Sequence, residues 1–181
     1  MKPTMQTITP FLWFNDQAEE AANFYVSIFE NSKIITDVRY GESGAEISGQ
    51  PKGTVTTVKF ELRGKEFIAL NGGPHFKFTE AISFVVNCET QMEVDNFWEK
   101  LSAGGEKSRC GWLKDKYGVS WQIVPSMLGD LLGDPDPAKS ERVWQAMLQM
   151  GKLDIAALKK ARRETPAPAK KSKVTRAPKR K

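Results

Sequence analysis

The stretch AISFVVNCETQMEVDNFWEKL (Ala81–Leu101) decides the fold, because its hydrophobic period changes halfway along. Its first eight residues form an apolar run of strand length, ending at Cys88. Thr90 followed three residues later by Glu93 is a capping box, the signature of a helix start. Val94, Phe97, Trp98 and Leu101 then recur at helical spacing and line one face. The same plan occurs upstream in ITPFLWFNDQAEEAANFYVSIF (Ile8–Phe29), where Asp16 and Glu19 stand in the capping positions, 74 residues before Thr90 and Glu93. Ala18, Ala21, Ala22, Tyr25 and Phe29 form the helix face.

Each helix is followed by strand candidates. Ile34–Tyr40, Thr54–Leu62 and Glu66–Asn71 belong to the first half, and a weaker set ending in VSWQIVP (Val119–Pro125) to the second. Arg63 with Gly64, Asn71 to Pro74, and Tyr117 with Gly118 supply the turns. Gly41–Gly53, with glycine and serine throughout, is expected to be a mobile connection. The pattern alone thus predicts an α+β fold of two βαβββ units in tandem.

At 181 residues with 40% hydrophobic content, the chain suits one core plus appendages. The helical period resumes from Lys139 to Arg163, with a break at Gly151, and GDPDP (Gly133–Pro137) marks the junction before it. The formal charge of +5 divides unevenly. Lys159–Lys181 holds eleven Lys or Arg against Glu164, which is +10, and leaves 16 basic and 21 acidic residues elsewhere, or −5. The body is therefore acidic, and residues 164–181, rich in Pro, Ala and Lys, are expected to form a disordered basic tail. No run approaches the roughly 20 apolar residues that span a bilayer, and Met1–Gln6 has no signal-peptide character, so a cytoplasmic protein without a membrane partner is expected. Cys88 and Cys110, the two cysteines, read as reduced thiols.

AEEAANFYVSIF (Ala18–Phe29), FIALNGGPHF (Phe67–Phe76) and CGWLKDKYGVSWQIVP (Cys110–Pro125), in this order, resemble the PhnB-like, or 3-demethylubiquinone 3-methyltransferase-like, branch of the vicinal oxygen chelate superfamily, which includes glyoxalase I and bleomycin resistance proteins. The likeness covers residues 5–132, ahead of a helical extension at 137–163. It implies paired βαβββ modules forming a curved, half-open sheet around a cavity, commonly in homodimers. Metal-using members of that superfamily draw ligands from four strands. Those positions fall here on Thr9 or Pro10, Ala69, Ala81 and Gln122. Only Gln122 keeps a donor, and one neutral amide does not hold a divalent cation against water. No metal and no cofactor is expected.

Several side chains invite a functional reading. His75 is the only histidine and a weak candidate for general base; in GGPHF it is first of all a solvated turn residue. Phe11 and Trp13 share one strand face and could line the ligand cavity, with Gln122 from the second half. Trp121 then points at the helices, opposite Gln122. Asn71 could offer an amide, or simply form the turn before two glycines. Lys114, Asp115 and Lys116 read as a solvent-facing turn. NGGP is no phosphate loop, lacking the Gly-Lys-Ser/Thr that would follow.

The leading functional reading is a metal-independent protein that binds a small organic ligand in the cavity. Whether a reaction accompanies binding stays open; an enzyme here would be neither a metal-dependent lyase nor a dioxygenase, and a methyltransferase by label only. The alternative is an interaction protein whose basic tail makes weak, nonspecific, salt-sensitive contact with nucleic acid or an anionic surface.

Overall fold

The computed structural model describes residues 6–48 and 50–164. Expectations for the tail at 165–181 lie outside the described residues. The first module runs β1 (Phe11–Phe14), α1 (Ala18–Ile28), β2 (Lys33–Arg39), α2 (Glu42–Ser48), β3 (Val55–Leu62) and β4 (Lys65–Asn71). The second runs β5 (Phe84–Cys88), α3 (Gln91–Leu101), β6 (Glu106–Lys107), β7 (Trp112–Lys114) and β8 (Ser120–Pro125). Their sheets have matching orders, β1-β4-β3-β2 and β5-β8-β7-β6. In each, the first strand lies parallel to the last and the other pairings are antiparallel.

The two helices start differently. Thr90 caps α3 as expected, accepting from the Glu93 N–H while the Glu93 carboxylate accepts from the Thr90 N–H. At α1 the box does not form. The helix begins later, with Gln17 at the cap position making no side-chain bond, and Glu19 pairs instead with Arg39 across the surface at 2.9 Å. The Ala18 N–H is taken by the Asn71 carbonyl oxygen at 2.7 Å. A side chain distant in sequence thus does the work expected of Asp16. The connection Gly41–Gly53 also departs from expectation, because it contains α2, a short helix whose turn closes with the Ala45 N–H on the Gly41 carbonyl.

One core joins the modules. The inward faces of both sheets pack with α1 and α3 into a single apolar cluster. Tyr25 of α1 and Phe29, which caps its C-terminus, reach across it to Trp121 of β8, at ring distances of 5.5 and 5.7 Å, and Phe29 stacks on Phe97 of α3. Trp121 is buried there, on the helix side of its strand.

The C-terminal segment forms α4 (Leu128–Leu132), α5 (Pro137–Leu148) and α6 (Ile155–Arg163) around a second apolar cluster that includes Leu131, Val143, Leu153 and Leu158. Asp136 and Asp154 cap α5 and α6, and Pro137 takes the first position of α5, where a missing N–H costs nothing. The Arg142 guanidinium donates to the last carbonyls of α6, and Arg162 pairs with the buried Asp134 at 2.6 Å. Backbone N–H groups of Cys110 and Gly111 donate to Met150 and Gly151, both at 2.8 Å, fastening this segment to the second module. Gly111 is required there: its φ is +83° and an added Cβ would lie 2.6 Å from the Ile123 carbonyl oxygen.

Candidate functional site

Alternation along the strands separates a core face from an open face. On β1 and β4, Leu12 and Ala69 pair and are buried, whereas Phe11 pairs with Ile68 on the other face. On β5 and β8, Val85 pairs with Gln122 on the open face. Since Phe11 and Val85 are 74 residues apart, like the two caps, the counterpart of Gln122 in the first module is Ile68 rather than Ala69. Ile68, like Ala69, carries no donor.

Where the modules meet, a cavity of about 420 Å³ opens between the start of β1 (Pro10, Phe11), the 77–82 connection (Phe78, Ala81), and the start of the second sheet (Phe84, Ser120). Two of the four expected positions, Pro10 and Ala81, line it, and its walls are mainly apolar. A neighbouring cavity of about 500 Å³ lies against β7 and the turn before it, lined among others by Arg109, Trp112, Lys114 and Ser120. Glu80 from the connection closes one side, paired with Lys114 at 2.5 Å.

Phe11, more than half exposed, contributes to the junction cavity. Trp13 does not. Its indole N–H donates to the Gly73 carbonyl at 2.9 Å, and its ring lies so close over Gly72 that a Cβ there would sit 2.2 Å from it. Trp13 also meets Phe76 edge to face and lines a smaller cavity with Phe78 and Tyr117. Asn71 has its oxygen on Ala18 and donates from its amide nitrogen to the Val55 carbonyl at 3.0 Å. Gln122 donates to the Ser83 hydroxyl at 2.8 Å. His75 is exposed on a turn. The structure therefore gathers Phe11, Pro10 and Ala81, and disperses Trp13, Asn71, Gln122 and His75.

Asp115 escaped the sequence reading. Read as part of a solvent-facing turn, it is 2% exposed and sits at the seam of the modules. One carboxylate oxygen accepts from the Tyr25 hydroxyl and the Trp121 indole, each at 2.8 Å; the other accepts from the backbone of Tyr117 and Val119. Burial raises its pKa above the ordinary carboxylate range, and the four donors pull against that rise. Burial, with the nearby Asp115 charge, also pushes the Tyr25 hydroxyl well up, so it remains a neutral donor. The available signal was an aspartate three residues before a glycine, the start of a hydrogen-bonded turn: Gly118 N–H donates to the Asp115 carbonyl at 2.9 Å, with φ +86° at Gly118.

The donor set does not suit a metal. Among the described residues, no three His, Cys, Asp or Glu side chains converge. Nor do the strand-to-helix turns suit a dinucleotide or S-adenosylmethionine. The β1–α1 turn is Asn15-Asp16-Gln17, without glycine and followed by Glu19 and Glu20, while the β5–α3 turn is closed by its own capping box.

Paired βαβββ modules of this order define a glyoxalase-type fold of the vicinal oxygen chelate superfamily. Residues 6–124 match the family model described as 3-demethylubiquinone-9 3-methyltransferase, and the chain belongs to that PhnB-like family. A solved Bacillus cereus structure, described as a putative 3-demethylubiquinone-9 3-methyltransferase, PhnB protein, is 41% identical. It covers 66% of this chain and 99% of its own, with a TM-score of 0.60. Protein PA1353 from Pseudomonas aeruginosa shares the fold at 19% identity over 64% of this chain and 94% of its own, with a TM-score of 0.52. Among curated proteins, none matches the chain.

Proposed function

We propose that this protein binds a small organic molecule, without a metal, in the cavity at the junction of its modules. The observation that carries the reading is the lining of that cavity: side chains from β1, β5 and β8 meet beneath the 77–82 connection, and the wall is aromatic and aliphatic with few polar groups. Thr9 or Pro10, and Ala81, the positions that the family resemblance assigns to donors, carry no usual metal ligand. Neither strand-to-helix turn suits S-adenosylmethionine, so the methyltransferase description names the family and not the activity proposed for this chain.

We also infer a homodimer in the cytoplasm. All seven residues of the edge strand β2 are exposed, among them Ile34, Ile35 and Val38, and Phe11 and Val85 expose apolar surface on the open faces. An uncovered edge with apolar side chains favours burial against a second copy.

A thermal-shift screen of metabolites on protein treated with EDTA tests the binding reading. A ligand at about a hundred times its Kd adds roughly 2.7 kcal/mol, which raises the Tm of a domain this size by several degrees. Ala81→Trp, which projects into the cavity, should abolish the shift. A hit that requires added zinc, nickel or iron, or that stabilises Ala81→Trp equally, would contradict the reading.

A further inference from the structure

We propose that the occupant is an organic acid, with its apolar body in the junction cavity and its carboxylate in the neighbouring one, on Arg109; this rests on the small-molecule reading above. The starting point is Ser120. It is 1% exposed, and its hydroxyl is the one buried side-chain polar atom left without a hydrogen-bond partner among the described residues. An unpaired buried hydroxyl destabilises the ligand-free fold, and such groups mark places where something else supplies the partner. Gln122, next along the same face of β8, by contrast donates to the Ser83 hydroxyl.

Ser120 lies on the wall common to both cavities. On one side are Phe11, Phe78 and Phe84; on the other are Arg109, Trp112 and Lys114. The charges of the second side are unequal in availability. Lys114 is neutralised by Glu80 at 2.5 Å, and Lys107 by Glu99 at 2.7 Å. Arg109 has no ion pair among the described residues. A planar guanidinium fork matches a carboxylate, and a serine hydroxyl adds one more donor. Glu106, on the same wall and without an ion pair among the described residues, opposes a doubly charged group more than a singly charged one, which favours a carboxylate over a phosphate dianion.

The backbone at Arg109 is held in place. Its carbonyl accepts the Trp112 N–H at 3.0 Å, and the next two N–H groups are bonded to Met150 and Gly151. The helical extension thereby fixes the turn that carries Arg109 on the cavity wall, an example of support from outside the binding wall.

Isothermal titration with 3-phenylpropionate and its neutral isostere 3-phenylpropionamide tests the assignment. The acid is expected to saturate one site and the amide to bind at least tenfold more weakly. Arg109→Gln should erase that difference, and Ser120→Ala should weaken acid binding several-fold while raising the Tm of the free protein, because the unpaired hydroxyl is gone. If the amide binds as tightly as the acid and Arg109→Gln changes nothing, the acid assignment falls and the small-molecule reading stands. If neither probe binds the wild type, the acid assignment falls with the junction cavity as its site. A lower Tm for free Ser120→Ala would overturn the role given to that hydroxyl.

Discussion

Asp115 is the residue on which the two modules close, since Tyr25 of the first and Trp121 of the second donate to the same oxygen. Asp115→Asn replaces an acceptor by an amide nitrogen facing those donors, and should cost about 2–4 kcal/mol in urea unfolding; Tyr25→Phe, which removes one donor, should cost about 1–2. Because burial raises the folded pKa of Asp115, its stabilising term is fully present below an unfolded value near 3.9 and is lost as pH rises through the folded one. Acid unfolding is therefore not driven by this carboxylate. Burial likewise pushes the Cys88 thiol up to about 12. Its contribution is complete below about 8.5 and is lost as pH rises through about 12, so stability should decline in that alkaline window and decline less in Cys88→Ala. At pH 8 iodoacetamide should label Cys110 in the folded protein, and Cys88 only after unfolding, as read by mass spectrometry. None of this was legible in Lys114–Gly118. A mixed-charge turn does not say which of its side chains faces inward; that depends on Tyr25, ninety residues away.

At the scale of elements, the sequence was most readable where local signals agree. Apolar periodicity announced α1 and α3, and Thr90 with Glu93 announced the start of α3. Thr90→Ala should cost about 1 kcal/mol. Asp16→Ala should cost almost nothing, whereas Asn71→Ala should cost about 1–2 kcal/mol by freeing the Ala18 N–H and the Val55 carbonyl, all measurable by thermal unfolding. The contrast identifies why the first capping box misled: a tertiary partner outcompeted the local one. The strands β6 and β7, two and three residues long, are too short for alternation to show. In α2, ESGAEIS has no apolar face from which a helix could be read. Proline and aspartate at the junction before α5 did mark that boundary, because their effects are local.

For the whole molecule, the repeat was visible in sequence and its consequences were not. The family resemblance supplied the expectation of a cavity, but the distribution of Phe11, Trp13, Asn71 and Gln122 among separate places follows from side-chain direction and from partners such as Gly73 and Ser83. Sedimentation velocity should show a dimer for the full chain, and Ile34→Lys with Val38→Lys should shift it toward monomer by placing charge on the exposed edge. We propose that this module pair keeps a cavity at its junction without the side chains to hold a metal there. Inductively coupled plasma analysis of the purified chain tests it most directly: no stoichiometric transition metal is the predicted result, and one equivalent of zinc, nickel or iron per chain would contradict it.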